Sequence, residues 1–310
     1  MEKEMIKEIN SFNTDLNETN SSEVSNDLDQ HLKFIPSNLR EKVKEKLERT
    51  IFYTPRIGIM GQSGAGKSSL ANAIVGRKVF ETGSNGGCTR KLQEEIVYIG
   101  KRKLIFVDLP GIAEDTHFDE EYKELYRKAF TDLDIILWVI KIDNRANQAD
   151  KEFYKEIKQE FIRKYNREIL FVLSQADKAD PSDGWEHDKY VPSEEQNETI
   201  LENKKRISEM FETFSGNVLP VACKYREGKF KSYGLSKLVL RIIEVLPKEA
   251  KASFYASANE EAKTESAKVE AQKGLWDTIV DTVKERIPEI VETLLPLAKI
   301  AIDKIFKKWF

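Results

Sequence analysis

Cysteine is scarce in this chain: Cys88 and Cys223 stand far apart, without the spacing of a metal-ligand set. That excludes a disulfide framework and a zinc module, and it suits a reducing cytoplasm. No basic segment followed by an apolar one opens the sequence, so no signal peptide is expected. No uninterrupted apolar run approaches ~18 residues, which argues against a conventional spanning helix. A surplus of positive charge is missing too. Lys and Arg number 50 against 53 Asp and Glu, a net charge of -3, so nothing supplies the basic footprint that would make DNA an expected partner. No internal repeat is present.

What remains is a chain of 310 residues, 40% hydrophobic and 33% charged, long enough for one large or two ordinary domains with a full core. The surplus charge belongs on long helices or tails. Residues 1–30 carry eight acidic side chains and two lysines among many Asn and Ser, which reads as a disordered acidic tail. Over 31–54, Leu39, Val43, Leu47 and Ile51 recur every four residues and predict a one-faced helix, with Ser37 as its N-cap. Such a stripe must dock on the neighbouring domain.

That domain is organised around Gly61-Gln62-Ser63-Gly64-Ala65-Gly66-Lys67-Ser68, which fits G-x-x-x-x-G-K-[ST] between a short apolar strand and a helix reaching about Val75. The spacing follows from the chemistry. A loop that wraps a phosphate with successive backbone N–H groups needs glycines for close approach and unusual dihedrals. The helix adds its positive N-terminal end, Lys67 reaches the β- and γ-phosphates, and the Ser68 hydroxyl binds Mg²⁺. A nucleoside triphosphate site is expected.

Strands and helices alternate from there: paired strands Leu92–Ile99 and Leu104–Asp108, a helix Phe118–Phe130, and a buried strand Asp134–Lys141. A helix Gln148–Tyr165, a strand Ile169–Leu173, a helix near Glu194–Phe214, a strand Val218–Ala222 and a helix Leu235–Leu246 follow. The alternation predicts a doubly wound α/β sheet with ligands at the carboxyl ends of the strands, over 55–247. Residues 248–274, rich in Ala, Glu, Lys and Ser, read as an exposed, charged helical connector. In 275–310, Trp276, Ile279, Val280, Val283, Ile287, Ile290, Val291 and Leu294 form an apolar stripe broken at Pro288 and Pro296. Ile300, Ile302, Ile305, Phe306, Trp309 and Phe310 then mix with Lys299, Lys304, Lys307 and Lys308. That stripe suits an interfacial membrane helix, a dimer contact, or a helix folded back on the nucleotide domain.

Further motifs choose the nucleotide. Asp108-Leu109-Pro110-Gly111 is D-x-x-G at a strand end, so Asp108 would reach Mg²⁺ through water and the Gly111 N–H would sense the γ-phosphate. Thr89 lies between the two motifs and offers a hydroxyl to the same ion. Ser174-Gln175-Ala176-Asp177 follows a strand, where the Asp177 carboxylate would accept both N1–H and N2–H₂ of guanine, a donor pair adenine lacks there. Ala222-Cys223-Lys224 ends the last strand, where a backbone N–H would bind guanine O6.

In this order the motifs resemble the Era-like GTPases of the translation-factor-related class, over about residues 55–246. Residues 61–68, Thr89 and Asp108–Gly111 look like the first three GTPase motifs. Ser174–Asp177 is similar to the fourth, N-K-x-D, with Ser for Asn and an uncharged Gln for Lys; Ala222–Lys224 is similar to the fifth, S-A-K. The stretch Phe171–Lys178 also resembles poorly characterised bacterial relatives of the immunity-related GTPases. The resemblance implies a mixed sheet with one antiparallel edge strand and helices on both faces. It also implies nucleotide contacts at Ser63, Gly64, Ala65, Gly66, Lys67, Ser68, Ser69, Ser174, Gln175, Asp177, Lys178, Cys223 and Lys224. Mg²⁺ would sit on Ser68, Thr89 and, through water, Asp108, with Lys67, Thr89 and Gly111 as the catalytic set.

The water-positioning Gln that many relatives carry after D-x-x-G is replaced by Ile112, and the phosphate-loop Asn of potassium-activated relatives by Gly64. Slow intrinsic GTP hydrolysis is therefore expected, accelerated in trans by a second subunit or an activating protein. Arg90 and Arg145 are candidates for assisting groups within the chain, and Glu114, Asp115 and Glu120 for orienting water. The expected protein is a cytoplasmic, Mg²⁺-dependent GTP/GDP switch, peripheral to membrane if the tail binds lipid. Two alternatives stand beside it: a septin-like or dynamin-like assembling scaffold, and a ribosome-assembly GTPase.

Overall fold

The computed structural model describes residues 22–80, 93–99, 102–109, 120–143, 148–226 and 228–310. In chain order the elements are α1 (22–31), α2 (Ser37–Ile51), β1 (Arg56–Met60), α3 (Lys67–Val75), β2 (Gln93–Ile99), β3 (Arg102–Asp108), α4 (Glu120–Asp132), β4 (Ile135–Lys141) and α5 (Gln148–Ile157). After them come β5 (Glu168–Ser174), β6 (Trp185–Glu186), β7 (Val191–Pro192), α6 (Glu194–Met210), β8 (Val218–Pro220), β9 (Ala222–Arg226) and β10 (Lys229–Tyr233). Four helices finish the chain: α7 (Leu235–Val245), α8 (Lys248–Ser257), α9 (Glu265–Lys284) and α10 (Val291–Trp309).

Six strands form one sheet in the order β2-β3-β1-β4-β5-β8. Only the β2–β3 pair is antiparallel; β3–β1, β1–β4, β4–β5 and β5–β8 are parallel. The alternation of side chains along β4 explains why it reads as a continuous apolar run. Ile135, Leu137 and Val139 enter the core on one face, while Ile136, Trp138 and Ile140 enter the core on the other. The first core is shared with α2, α3, α7, α8, α9 and α10. The second holds Phe130, Phe153, Phe161 and Ile207 from the helices opposite, with Phe171 and Phe211 stacked at 4.4 Å.

α2 buries Leu39, Val43, Leu47 and Ile51 as the spacing predicts, but its N-cap is Pro36, without a side-chain cap bond, and Ser37 is already helical. Proline supplies the fixed φ that starts the helix and has no N–H left to satisfy. Tyr53 then donates to Asp134 at 2.7 Å, and the Arg56 amide donates to the same carboxylate at 2.9 Å, which anchors the entry to β1. Asp134 is buried, and that burial raises its pKa against the hydrogen bonds that lower it.

Two expectations need correction. The polar tail stops earlier than composition suggests: 22–31 is helical, with Val24 and Leu28 fully buried beside Leu32. Residues 248–274 are no exposed connector. Ala250, Ala252 and Phe254 of α8 and Ala267 and Ala271 of α9 are all fully buried. Small side chains let these helices approach closely, so Ala here marks an interface rather than a solvated surface. Of the arrangements open to it, the C-terminal stripe takes the folded-back one: Leu275, Ile279, Val283, Ala298, Ile302, Ile305 and Phe306 all lie in the first core. Trp276, Ile287, Ile290, Val291 and Leu294 pack against that core partly buried, and Leu297 and Ile300 are exposed. Pro288 does break the helix, whereas Pro296 sits within α10. Among the described residues no helix is long and apolar enough to cross a membrane.

Candidate functional site

The loop from β1 to α3 is shaped by its glycines. Gly61 has φ +144°, and a Cβ there would stand 2.3 Å from the Val139 carbonyl oxygen on β4, so only glycine fits where β1 hands over to the loop. Gly66 caps α3 in the left-handed conformation, φ 92°. No side chain caps that helix and no acidic residue occupies its first turn, which leaves its N-terminal amides for an anion. Ser63 and Gly64 are exposed, Ala65 is buried, and Ser68 and Ser69 are half-buried at the start of α3. Lys67 arches back across the loop: its Nζ donates to Gly61 O at 2.9 Å and lies 3.9 Å from Asp108 Oδ1 at the end of β3.

β5 delivers the second wall. Ser174 is buried and its hydroxyl donates to Ala65 O at 2.7 Å, tying the Ser174–Asp177 segment to the phosphate loop. Gln175, in the left-handed conformation at φ 55°, donates its amide to Gly64 O at 3.1 Å and accepts from Lys178 Nζ at 2.6 Å. The Ala176 amide donates to Val221 O at 3.1 Å, which brings the segment ending in Asp177 against the turn that leads to Cys223. Burial, reinforced by the Asp177 charge, pushes the Cys223 thiol up to about 12.

The residues around Cys223 differ from expectation. The strand starting at Val218 ends at Pro220, and Ala222, Cys223 and Lys224 open β9, paired antiparallel with β10 so that Cys223 faces Ser232 and Lys224 faces Lys231. Lys224 is exposed. Thr89, Gly111, Arg90, Arg145, Glu114 and Asp115 lie outside the described residues, and of Glu120 only its place at the start of α4 is described.

Three hard oxygen donors were expected for the metal. The two that are described, the Ser68 hydroxyl and the Asp108 carboxylate, lie on the elements that converge on Lys67. An oxygen-only set of this size fits Mg²⁺, which keeps waters and phosphate oxygens for its remaining positions. Among the described residues there is no group of three or more His, Cys, Asp or Glu that could hold a metal by themselves.

A family model described as a 50S ribosome-binding GTPase matches residues 56–175, from β1 through Gln175. Over nearly the whole chain the sequence is 33% identical to the uncharacterised protein YfjP of Escherichia coli K12, covering 91% of this chain and 96% of that one. The chain belongs to the Era-like P-loop GTPases. A second relative in this family, the uncharacterised YkfA of the same strain, is 31% identical over 84% of this chain and 86% of its own. GTPase Era of Aquifex aeolicus is 29% identical over 41% of this chain and 42% of its own. A crystal structure of an Era variant from the same organism bound to GDP.AlF4- has 25% identity and a TM-score of 0.42, over 63% of this chain and 57% of that one.

Sequence reasoning missed part of the wall beside Asp177. β6 and β7 form a small hairpin between Asp177 and α6, and its Trp185 packs edge-on against Tyr190 at 5.3 Å and Tyr233 of β10 at 5.6 Å. Tyr190 is buried with φ 58°, its hydroxyl has no hydrogen-bond partner among the described residues, and burial together with the Asp177 and Cys223 charges raises its pKa. The signal was a pair of aromatics after Pro181; too few alternating residues separate them to read as strands. Lys141 was missed as well. It ends β4, and its Nζ lies 3.7 Å from where a Cβ on Gly64 would stand.

Proposed function

We propose that the chain binds GTP and GDP with Mg²⁺ and hydrolyses GTP slowly, acting as a nucleotide-controlled switch. The observation that carries this reading is the convergence of Lys67, the open N-terminus of α3 and Asp108 on one side of the loop, with Ser174 and Gln175 bonded to its other side. Loop amides and Lys67 would hold the β- and γ-phosphates, Ser68 and Asp108 the ion, and Asp177 the guanine edge. When bound, Mg²⁺ supplies charge neutralisation at the phosphates. Lys67 orients the γ-phosphate and, by sitting between Gly61 O and Asp108, is preorganised before the nucleotide arrives. Thr89 and Gly111 would close over the γ-phosphate, and their release after hydrolysis would be the switch.

Ile112 stands where many relatives carry the water-positioning Gln, so the missing group would come from a second subunit or an activating protein; such a group is worth ~10³–10⁵ in rate. Two variants test the site in calorimetric titrations and turnover assays. Lys67→Ala should abolish GTP binding or turnover, and Asp177→Asn should shift preference from GTP to xanthosine triphosphate. ATP binding as tightly as GTP in the parent chain would refute the guanine assignment. Turnover per molecule that rises with protein concentration would support activation by a second copy.

A further inference from the structure

The fourth-motif segment carries the neutral Gln175 where N-K-x-D would place a cation, and the Lys178 ammonium nearby is bonded to the Gln175 amide oxygen. An ammonium arrives from a different strand. In the parallel β4–β5 register, Lys141 stands beside Ser174, the residue that bonds the loop at Ala65 O. A Cβ on Gly64 would lie 3.7 Å from Lys141 Nζ and 4.0 Å from its Cε. Gly64 is also the residue whose carbonyl accepts the Gln175 amide at 3.1 Å. Two side chains therefore meet one glycine of the phosphate loop, a neutral amide and an ammonium.

Lys141 has no hydrogen bond or ion pair among the described residues, although it is half-buried. The other described cations here are already held, Lys67 by Gly61 O and Lys178 by Gln175. Asp150 lines the same small cavity behind the loop together with Gln62, Ala65 and Lys141, but it makes no ion pair with Lys141. Holding an ammonium partly out of water with no counter-ion bonded to it is unfavourable. A polyanion in the loop beside it would remove that cost.

We propose that Lys141 is a second cation of the nucleotide site, supplying from β4 the charge absent at Gln175 and adding affinity for the polyphosphate of GDP and GTP. This rests on the guanine-nucleotide reading above. The decisive experiment moves the charge. Affinities of the full chain for GDP and for a non-hydrolysable GTP analogue are measured by calorimetry at low and moderate salt. They are compared among the parent, Lys141→Gln, Gln175→Lys and the double variant. One unit charge beside a polyphosphate in a partly solvated site is worth on the order of tenfold in affinity. Lys141→Gln should therefore bind about tenfold more weakly and with a shallower salt dependence.

The double variant should recover most of the loss. Gln175→Lys alone should gain far less than it gains in the Lys141→Gln background, because two ammonium groups then crowd one glycine. Thermal melts without nucleotide should be nearly the same for parent and Lys141→Gln, since Lys141 has no bonded partner among the described residues to lose. Unchanged GDP affinity in Lys141→Gln overturns the proposal while leaving the nucleotide site intact. A loss that Gln175→Lys fails to restore overturns it too, because shape rather than charge would then be at work. A parent chain that gives no heat with either nucleotide overturns both readings together.

Discussion

Replacing Asp27 by Asn changes one atom and asks whether α1 and α10 hold each other. Asp27 is 7% exposed and accepts from Trp309 Nε1 at 2.7 Å and from Lys308 Nζ at 2.9 Å, while His31 Nε2 lies 3.6 Å from its Oδ1. Burial alone would raise its pKa. The hydrogen bonds from Lys308 and Trp309, with the charges of Lys308 and His31, outweigh burial and hold the carboxyl below its ordinary value. A carboxyl depressed in the folded state contributes stability that is complete above its unfolded pKa, ~3.9, and is lost as pH falls through the lower folded value. Asn keeps an acceptor for Trp309 but removes the charge. The Lys308 share is small, about 0–1 kcal/mol, because that side chain is 44% exposed. Turning the Trp309 bond from charge-assisted to neutral costs about 1 kcal/mol more. The sum, about 1–2 kcal/mol, corresponds to roughly 1.5–3 °C in Tm for a chain of this size. Melts followed by circular dichroism from pH 7 to pH 3 should show the full gap between parent and variant at pH 5–7, closing below about pH 4. A gap of constant size down to pH 3, or no gap at pH 7, would refute the reasoning.

Gly274→Ala should destabilise the fold although alanine is the better helix former. The gain of about 1 kcal/mol in propensity is opposed by a Cβ that would stand 2.3 Å from the Lys248 carbonyl oxygen, where α8 crosses α9. A urea melt showing greater stability would mean the helices separate freely. Phe254→Ala removes a fully buried ring from α8 and should cost about 3–5 kcal/mol, against nearly nothing if 248–274 were an exposed connector; the midpoint of chemical unfolding decides. Cys223, its thiol pushed up to about 12, should resist alkylation in the native chain up to about pH 9 and react once denatured. Peptide mapping that finds Cys223 modified at pH 7.5 would contradict that environment.

Much of the nucleotide side was legible because its physics is local. A phosphate loop needs its glycines, Lys67 and Ser68 at fixed offsets, and parallel strands buried on both faces leave runs such as Ile135–Ile140 that no surface element would carry. The stripe of α2 was legible for the same reason. The helical arm was not, because its signal is smallness: Ala250, Ala252, Ala267 and Ala271 are buried by the close approach of backbones, and alanine leaves little hydropathy pattern. α1 did carry a pattern, Val24, Leu28 and Leu32 four apart, but Asn, Asp and Ser around it diluted the composition. The β9–β10 hairpin turns near Gly228, φ 82°, with strands of five residues, too short for alternation to stand out. Lys141 could not be found at all from spacing. Only the β4–β5 register brings it to Gly64, which it approaches from a distant part of the chain.

β3 joins these two halves of the molecule. At one end Asp108 lies near Lys67; at the other, Arg102 donates to Ile51 O at the end of α2 at 2.8 Å and stacks its guanidinium over the Phe310 ring at 4.2 Å. Burial pulls the Arg102 pKa down to about 10, so the guanidinium remains charged at neutral pH and is held by a helix-terminal carbonyl and a ring face rather than a carboxylate. A strand of this length spans roughly 20 Å, so the arm grips the far end of the element that carries Asp108. α2, α8, α9 and α10 also share one apolar cluster with β1, β3 and β4. A ligand that binds only the folded site therefore stabilises arm and sheet by the same increment, RT ln(1 + [L]/Kd). The reverse also holds. Loosening the arm lowers nucleotide affinity to the extent that it depopulates the folded site, without any contact between arm and nucleotide.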